Sequence, residues 1–209
     1  MIIVLKRFCV GEADVLARVY GYGGIMNLYI KDGYEPSNKF FGVFEPFNIM
    51  EITYYQQGEF IIPQDIRKIE RLSFLARNYD SFLWMCSIAD FILNYIKFFE
   101  ATIFNKTAEY LKFVPSKYSR YSTFIKFIFE IIEILGITPA FLSEEREGNS
   151  IYMKDGSINE KGDYKISMSA INVMRKIYRT SKVERIKVEK DIYREITEFL
   201  KRYIEFHIS

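Results

Sequence analysis

Hydrophobic and polar side chains alternate with a period of two along the first 70 residues. The clearest alternation covers residues 15–20 and 26–31, on either side of a turn that contains Gly21, Gly23 and Gly24. Because successive side chains of a strand point to opposite faces, these segments predict two strands joined by a tight hairpin. Further strands are predicted over residues 2–10 and 48–55 and from residue 59 to 63 or beyond. Five short strands that end near Ile69 are typical of a small closed barrel.

From Leu72 onwards, apolar residues recur about every four positions, as expected for amphipathic helices. This change of period divides the chain into a β-barrel domain, residues 1–72, and a helical domain, residues 73–209. Helices are predicted over about residues 81–100, 101–113, 122–135, 169–180 and 189–206, with Ser81, Ser119 or Ser122, and Ser167 or Ser169 as N-terminal caps. Residues 140–166 are polar, and Lys154-Asp155-Gly156 predicts a small β-hairpin there. The predicted fold class is α+β.

The composition favours a soluble protein without a metal or disulfide framework. The chain has a net charge of +2, and its most apolar window, residues 124–135, is interrupted by charged residues and is too short to span a bilayer. The start MIIVLKRF lacks the long apolar region of a signal peptide. Cys9 and Cys86 have no second cysteine or histidine at a metal-ligand spacing, which predicts two buried free thiols.

Residues suited to catalysis are scarce. The only histidine, His207, lies two residues from the end of the sequence, where fraying is expected. No Ser/His/Asp or Cys/His arrangement can be built without it unless a lysine serves as the base. The glycines of Gly21-Tyr22-Gly23-Gly24 have the wrong spacing for a dinucleotide or P-loop fingerprint, and a strand follows them rather than a helix. We predict a protein that is not an enzyme and uses no cofactor.

Five short motifs resemble the amino-terminal domain of the RecO family of recombination mediators. They are Gly11-Glu12, Gly23-Gly24, Lys31-Asp32-Gly33, Ser37-Asn38-Lys39 and Glu45-Pro46-Phe47, in the family's order and spacing. With the helical remainder, the resemblance covers nearly the whole chain. It implies an OB-fold barrel followed by a helical domain. It also implies a DNA repair and recombination protein that binds single- and double-stranded DNA and anneals complementary strands.

The resemblance implies partners as well. Family members contact the C-terminal tail of single-stranded-DNA-binding protein and work with RecR to load RecA onto DNA. The same partners, and a cytoplasmic, nucleoid-associated location, are therefore expected for this chain. A basic residue should meet the terminal carboxylate of the tail, and Arg120 and Lys126 are the candidates.

Many RecO-like proteins carry a four-cysteine zinc site after a Gly-x-x-Pro, which here is Gly136-Ile137-Thr138-Pro139. The matching region, residues 140–166, contains no cysteine and no histidine. Zinc requires nitrogen or thiolate ligands, whereas this region offers only carboxylates and hydroxyls. We predict a degenerate zinc-ribbon-like hairpin that has lost the metal.

On the barrel, a set of outward-facing positions alternates with the predicted core and could form a cationic and aromatic platform for single-stranded DNA. This set is Arg18, Tyr20, Asn27, Tyr29 and Lys31, together with Lys6, Arg7 and Lys39. An ordinary solvated sheet face is the alternative interpretation. Between Lys31 and Lys39, where family members place further basic residues, this chain carries Asp32 and Glu35, which weakens the expected phosphate contacts.

The helical part contains two clusters of positive charge, which attract phosphates or acidic tails. Residues 106–126 hold five basic residues against one acidic residue, and residues 175–190 hold seven against two. From these clusters the candidate DNA-binding residues are Lys112, Lys117, Arg120, Arg175, Lys176 and Arg179. A solubilising surface is the alternative for both clusters.

Two other functions compete with DNA binding. Residues 1–78 carry nine basic and nine acidic residues, and this neutral charge favours an adaptor whose barrel binds protein rather than DNA. A hydrolase built from unusual residues is a third hypothesis, which the single histidine disfavours. Salt-sensitive binding of oligonucleotides distinguishes the first two.

Overall fold

The computed structural model describes residues 1–208, which form two compact units. The first unit, Met1–Val114, contains β1 (Ile2–Val10), β2 (Asp14–Gly21), β3 (Gly24–Ile30), β4 (Ile49–Gln57), β5 (Phe60–Glu70), α1 (Tyr79–Tyr95) and α2 (Ala101–Lys112). The second unit begins at Pro115 and contains α3 (Arg120–Ile134), β6 (Ser150–Tyr152), β7 (Ser157–Ile158), β8 (Tyr164–Lys165), α4 (Met168–Arg179) and α5 (Lys190–Ile208). Short 3-10 turns cover Ser73–Arg77, Ala140–Leu142 and Val183–Arg185.

The first five strands close into a barrel in the order β1-β2-β3-β5-β4, which is the strand order of an OB-fold. Neighbouring strands are antiparallel except β3 and β5, which run parallel. The contact between β1 and β4 is short and pairs Ile2 with Met50 and Ile3 with Ile49. The predicted α+β fold, an OB-fold barrel followed by helices, is confirmed.

The alternation identified the core of the barrel correctly. The alternation places Val15, Ala17 and Val19 on one face of β2 and Met26, Leu28 and Ile30 on one face of β3; all of these are buried except Met26, which is partly buried and packs against them. Phenylalanines from the loop between β3 and β4 complete this core: Phe40 and Phe44. Burial of such apolar surface is the main stabilising contribution to a domain of this size.

The first compact unit continues well beyond the end of the barrel. The change of period near Leu72 marks the last strand, but α1 and α2 belong to the same unit as the barrel. At Gly24, whose φ is +77°, a Cβ atom would lie 2.5 Å from the backbone oxygen of Lys97, just after α1. This close approach brings the chain after α1 against the barrel. The division into domains at residue 72 stays a prediction.

Two details of the first unit differ from the predictions. The side chain of Asn78, rather than Ser81, caps α1 by accepting a hydrogen bond from the Ser81 N–H at 2.9 Å. Cys86 is half-buried, but Cys9 is exposed, so the prediction of two buried thiols was wrong for Cys9. Cys9 lies on the part of β1 beyond its pairing with β4, where both faces of the strand reach solvent.

In the second unit, α3 is buried over most of its circumference and packs against α4 and α5. Ser167, one of the two predicted caps, caps α4 by accepting a hydrogen bond from the Ala170 N–H at 3.2 Å. The predicted hairpin is present as β6 and β7, and Gly156 in its turn has a φ of +68°. The alternation did not indicate the third strand of this sheet, β8, which contributes two residues.

Backbone contacts hold this hairpin in place. The N–H groups of Ala140 and Phe141 donate to the carbonyls of Asp155 and Gly156 at 3.0 and 2.9 Å. A Cβ atom on Gly156 would lie 2.5 Å from Pro139, so only glycine permits this approach.

Over residues 1–208, no group of three or more histidine, cysteine or acidic side chains is arranged to hold a metal ion. Within the same range, no helix has the length and apolar character needed to cross a membrane.

Replacing Gly156 by alanine should destabilise the protein more than replacing Gly136 by alanine. Both glycines have φ near +70°, where a Cβ costs about 1–2 kcal/mol. A Cβ at Gly136 would meet nothing within 4 Å, whereas at Gly156 it would strike Pro139, which adds about 1–3 kcal/mol. Urea unfolding of both variants measures the difference, and equal losses would contradict a tightly docked hairpin.

Candidate nucleic-acid interface

An apolar row crosses the outer surface of the barrel. Phe8 of β1 pairs with Leu16 of β2, which pairs with Tyr29 of β3. The ring of Phe60, on β5, lies 5.9 Å from the ring of Tyr29 at an interplanar angle of 49°. All four side chains reach solvent, Phe8 with 39% of its surface. Exposed aromatic rings on an OB-fold face are surfaces on which bases stack.

A basic row lies beside the apolar row, two residues along each strand. Lys6 of β1 pairs with Arg18 of β2, which pairs with Asn27 of β3. Lys6 and Arg18 are exposed, and the Lys6 ammonium lies 5.3 Å from the centre of the Phe8 ring. The barrel therefore presents cations and rings side by side, an arrangement suited to the phosphates and bases of one strand.

The ring of Tyr29 is fixed by a carboxylate. Its hydroxyl donates to Asp14 Oδ2, while Asp14 Oδ1 accepts from the backbone N–H of Asp32 at 2.8 Å. The bond to Asp14 raises the pKa of the Tyr29 hydroxyl and lowers the pKa of the Asp14 carboxyl. At neutral pH, the Tyr29 hydroxyl is thus protonated and donates its hydrogen bond to Asp14. This bond and the backbone of β3 together fix the position of the ring.

Two lysines flank the apolar row at the loop between β3 and β4. Lys31 is exposed, and its backbone carbonyl accepts a hydrogen bond from the Asn38 amide at 2.9 Å. The Lys39 ammonium donates to the carbonyl of Gln64 at 2.6 Å and lies 4.7 Å from the centre of the Phe40 ring. The loop contains the acidic residues Asp32 and Glu35, but it still carries a cationic side chain at each end, Lys31 and Lys39.

Two of the predicted barrel residues lie away from this surface. Arg7 turns to the other face of β1 from Lys6, where it pairs with Glu45 at 2.6 Å and stacks over Tyr34 at 4.8 Å. Tyr20 is fully buried: its hydroxyl donates to the Glu100 carbonyl at 3.3 Å and accepts from the Glu100 N–H at 3.2 Å. Tyr20 is buried because the chain between α1 and α2 covers the end of β2, so the outward position has no access to solvent.

Lys112 lies on the last turn of α2 and pairs with Glu70 at 2.8 Å. Both side chains are about half-exposed, and a surface pair of this kind contributes at most about 1 kcal/mol. A phosphate can therefore replace Glu70 as the partner of Lys112 at little cost. Lys112 belongs to the first unit, whereas its predicted companions Lys117 and Arg120 belong to the second.

In the second unit, α4 carries Arg175, Lys176 and Arg179 along one cavity of about 350 Å³, which Glu145 and Glu147 also line. Arg175 donates from Nε to the Phe141 carbonyl at 2.9 Å and from Nη2 to the Arg146 carbonyl at 2.7 Å, so it holds the preceding loop. Lys176 and Arg179 are exposed. The cavity combines both signs of charge and is less strongly cationic than the sequence suggested.

The two residues predicted for partner binding both lie on α3. Lys126 donates to the Tyr178 carbonyl at 3.2 Å and sits 5.9 Å from the centre of the Tyr178 ring. Arg120 is half-buried near Tyr193, whose pKa is raised to about 12 chiefly by burial. Lys117, just before this helix, is exposed. Lys126 and Arg120 thus interact with neighbouring residues of the second unit, whereas the side chain of Lys117 is open to solvent.

The sequence interpretation missed the members of the apolar row other than Tyr29, as well as Asp14. Phe8 shares the parity of Lys6 on β1, and Phe60 alternates with the buried Ile61, so alternation alone could have placed both outward. The closeness of Phe60 to Tyr29 follows only from the pairing of β3 with β5.

Two comparisons relate the chain to known proteins. Residues 77–209 match the sequence model of a family described as "Recombination protein O C terminal". An uncharacterized protein of Aquifex aeolicus (strain VF5) is 31% identical over 209 residues, which cover 99% of this chain and 97% of that protein. The family match covers more than half of the chain and includes α1 and α2 as well as the second unit.

Replacing Tyr20 by phenylalanine should lower the free energy of unfolding by about 1 kcal/mol, because the Glu100 N–H loses its acceptor. Tyr22, which is 83% exposed, provides the matched control, and Tyr22→Phe should change nothing. Urea unfolding measures both. If Tyr20→Phe instead left stability unchanged and weakened oligonucleotide binding, Tyr20 would belong to the interface.

Proposed function

This chain belongs to the recombination protein O family, and from that premise we propose that it is a DNA repair and recombination mediator that binds single- and double-stranded DNA without catalytic turnover. The observation that carries the proposal is the pair of rows on the OB-fold barrel. Phe8, Leu16, Tyr29 and Phe60 offer rings and apolar surface, and Lys6 and Arg18 lie beside them. The rings suit the bases of a single strand, and the cations suit its phosphates.

Annealing follows from the same surface by simple electrostatics. Two complementary strands repel each other through their phosphates, and cations that neutralise this charge allow them to approach. Lys6, Arg18, Lys31 and Lys39 supply that charge on the barrel, and Lys176 and Arg179 supply it on α4. Stacking holds bases only loosely at an exposed face, so the bases remain able to pair.

We further propose the family's partners for this chain. The C-terminal tail of single-stranded-DNA-binding protein is acidic, and Lys126 and Arg120 on α3 are the candidate residues for its terminal carboxylate. Cooperation with RecR in loading RecA would place the protein on DNA already coated by single-stranded-DNA-binding protein. The expected location is cytoplasmic and nucleoid-associated.

A protein adaptor is the second candidate function. The charge balance of residues 1–78, nine basic against nine acidic, favours it. The apolar row would then contact side chains of a partner rather than bases. Such an interface would show little dependence on salt, whereas each phosphate contact adds to the salt dependence.

Fluorescence anisotropy with a labelled single strand, repeated over a range of salt, tests the proposal. The wild-type protein should bind, and the logarithm of its affinity should fall linearly with the logarithm of salt concentration. Lys6→Gln combined with Arg18→Gln should flatten that slope by about 0.7 for each charge removed. Lys68→Gln, at an exposed position of β5, is the matched control and should leave the slope unchanged.

Two outcomes would contradict the proposal. If the wild-type protein failed to bind at low salt, the adaptor would be the remaining candidate. If Lys68→Gln flattened the slope as much as Lys6→Gln with Arg18→Gln, binding would be a diffuse effect of charge and not a property of the basic row.

A further inference from the structure

Two cavities lie on the outer surface of the barrel, on either side of a ridge formed by Tyr29 and Ile62. The first, here named the apolar cavity, has a volume of about 280 Å³ and is lined by Val10, Leu16, Gln57 and Phe60 besides the ridge. The second, here named the lysine cavity, has a volume of about 290 Å³ and is lined by Ile30, Lys31, Asn38, Lys39, Phe40 and Pro63 besides the ridge. They share the ridge and differ sharply in chemistry.

The apolar cavity suits a flat, largely apolar group. Its walls include the inclined rings of Tyr29 and Phe60, and its polar groups are the amide of Gln57 and the Tyr29 hydroxyl, which already donates to Asp14. A nucleic-acid base offers a π-face to such rings and hydrogen-bonding edges to an amide. A phosphate would lose its hydration there without gaining a cationic partner.

The lysine cavity suits an anion. Lys31 and Lys39 stand at its edge, and the loop that carries them is closed by the Asn38 amide, which donates to the Lys31 carbonyl at 2.9 Å. The Lys39 ammonium uses one hydrogen on the Gln64 carbonyl, which leaves two donors for a ligand. The Lys39 ammonium is therefore positioned before any ligand arrives, and the bond from Asn38 fixes the backbone of Lys31.

The ridge itself is held in place. Tyr29 is fixed by Asp14, and Asp14 is in turn fixed by the backbone N–H of Asp32. Lys31 lies close enough to Asp14 to help stabilise its negative charge.

We propose that the two cavities form a single-nucleotide subsite, in which the apolar cavity takes a base and the lysine cavity takes an adjoining phosphate across the Tyr29 ridge. The inference rests on the proposed function and deepens it, because it fixes where one nucleotide of a bound single strand lies. Asp14 acts as a positioning residue that orients the ring of Tyr29.

Two labelled strands of about twelve nucleotides, within the span of one OB-fold, separate the two halves of the subsite. One is a thymidine strand, and the other is an abasic strand that keeps every phosphate but has no bases. Phe60→Leu should weaken binding of the thymidine strand about tenfold, the effect of losing one stacked base, and leave the abasic strand unchanged. Lys39→Gln should weaken both strands and flatten the salt slope by about 0.7.

The role of Asp14 is read from a double-mutant cycle. Asp14→Asn and Tyr29→Phe should each weaken binding of the thymidine strand, and their combination should weaken it no further than Tyr29→Phe alone. Additive losses would show that Asp14 does not act through Tyr29. Lys68→Gln again serves as the charge control, and unfolding midpoints of all variants confirm that they fold.

The outcomes distinguish this subsite from the proposed function. If the wild-type protein bound neither strand, both would be overturned. If the wild-type protein bound both strands but Phe60→Leu weakened them equally, or Lys39→Gln left the salt slope unchanged, DNA binding would stand and the subsite would be wrong.

Discussion

The parallel pairing of β3 with β5 is the contact on which the candidate site depends. It joins only two residue pairs, Asn27 with Phe60 and Leu28 with Ile61, yet it closes the barrel. Closure buries Leu28 and Ile61 inside and, because side chains alternate, leaves Phe60 outside beside Tyr29. Without this pairing, β1–β3 would still form a sheet, but the apolar cavity would lose one wall. The same few hydrogen bonds therefore specify both the core and the surface that we propose for nucleic acid.

Local patterns predicted the strands, helices and barrel core because each depends on a hydrophobic period, two residues in strands and about four in helices, that is visible within a short segment. The failures involve residues far apart in sequence. Tyr20 has the parity of an outward residue, but Glu100, eighty positions later, covers it. Arg7 looked like a free cation, but Glu45 lies opposite it in the fold. The hydrophobic pattern of one segment does not show which distant residue will contact it in the folded protein.

The hairpin of the second unit is held by hydrogen bonds and packing rather than by cysteine ligands to a zinc ion. A zinc site would fix such a loop through thiolate bonds, and residues 140–166 of this chain contain no cysteine and no histidine. Here the strands β6 and β7 pair, backbone groups of Ala140 and Phe141 bond to the turn, and Gly156 packs against Pro139. Hydrogen bonds and close packing therefore hold this hairpin against the residues that precede it.

The neutral charge of the barrel does not decide between nucleic acid and protein as its partner. A net charge sums all residues, whereas a ligand meets the field of one surface. Several acidic groups are engaged within the first unit: Glu45 by Arg7, Glu51 by Arg67, Glu70 by Lys112 and Asp14 by the hydroxyl of Tyr29. Lys6 and Arg18 meanwhile stand side by side on the outer face, next to the rings. Since screening limits exposed charges to a range of about 10 Å, it is this local arrangement that an approaching phosphate meets.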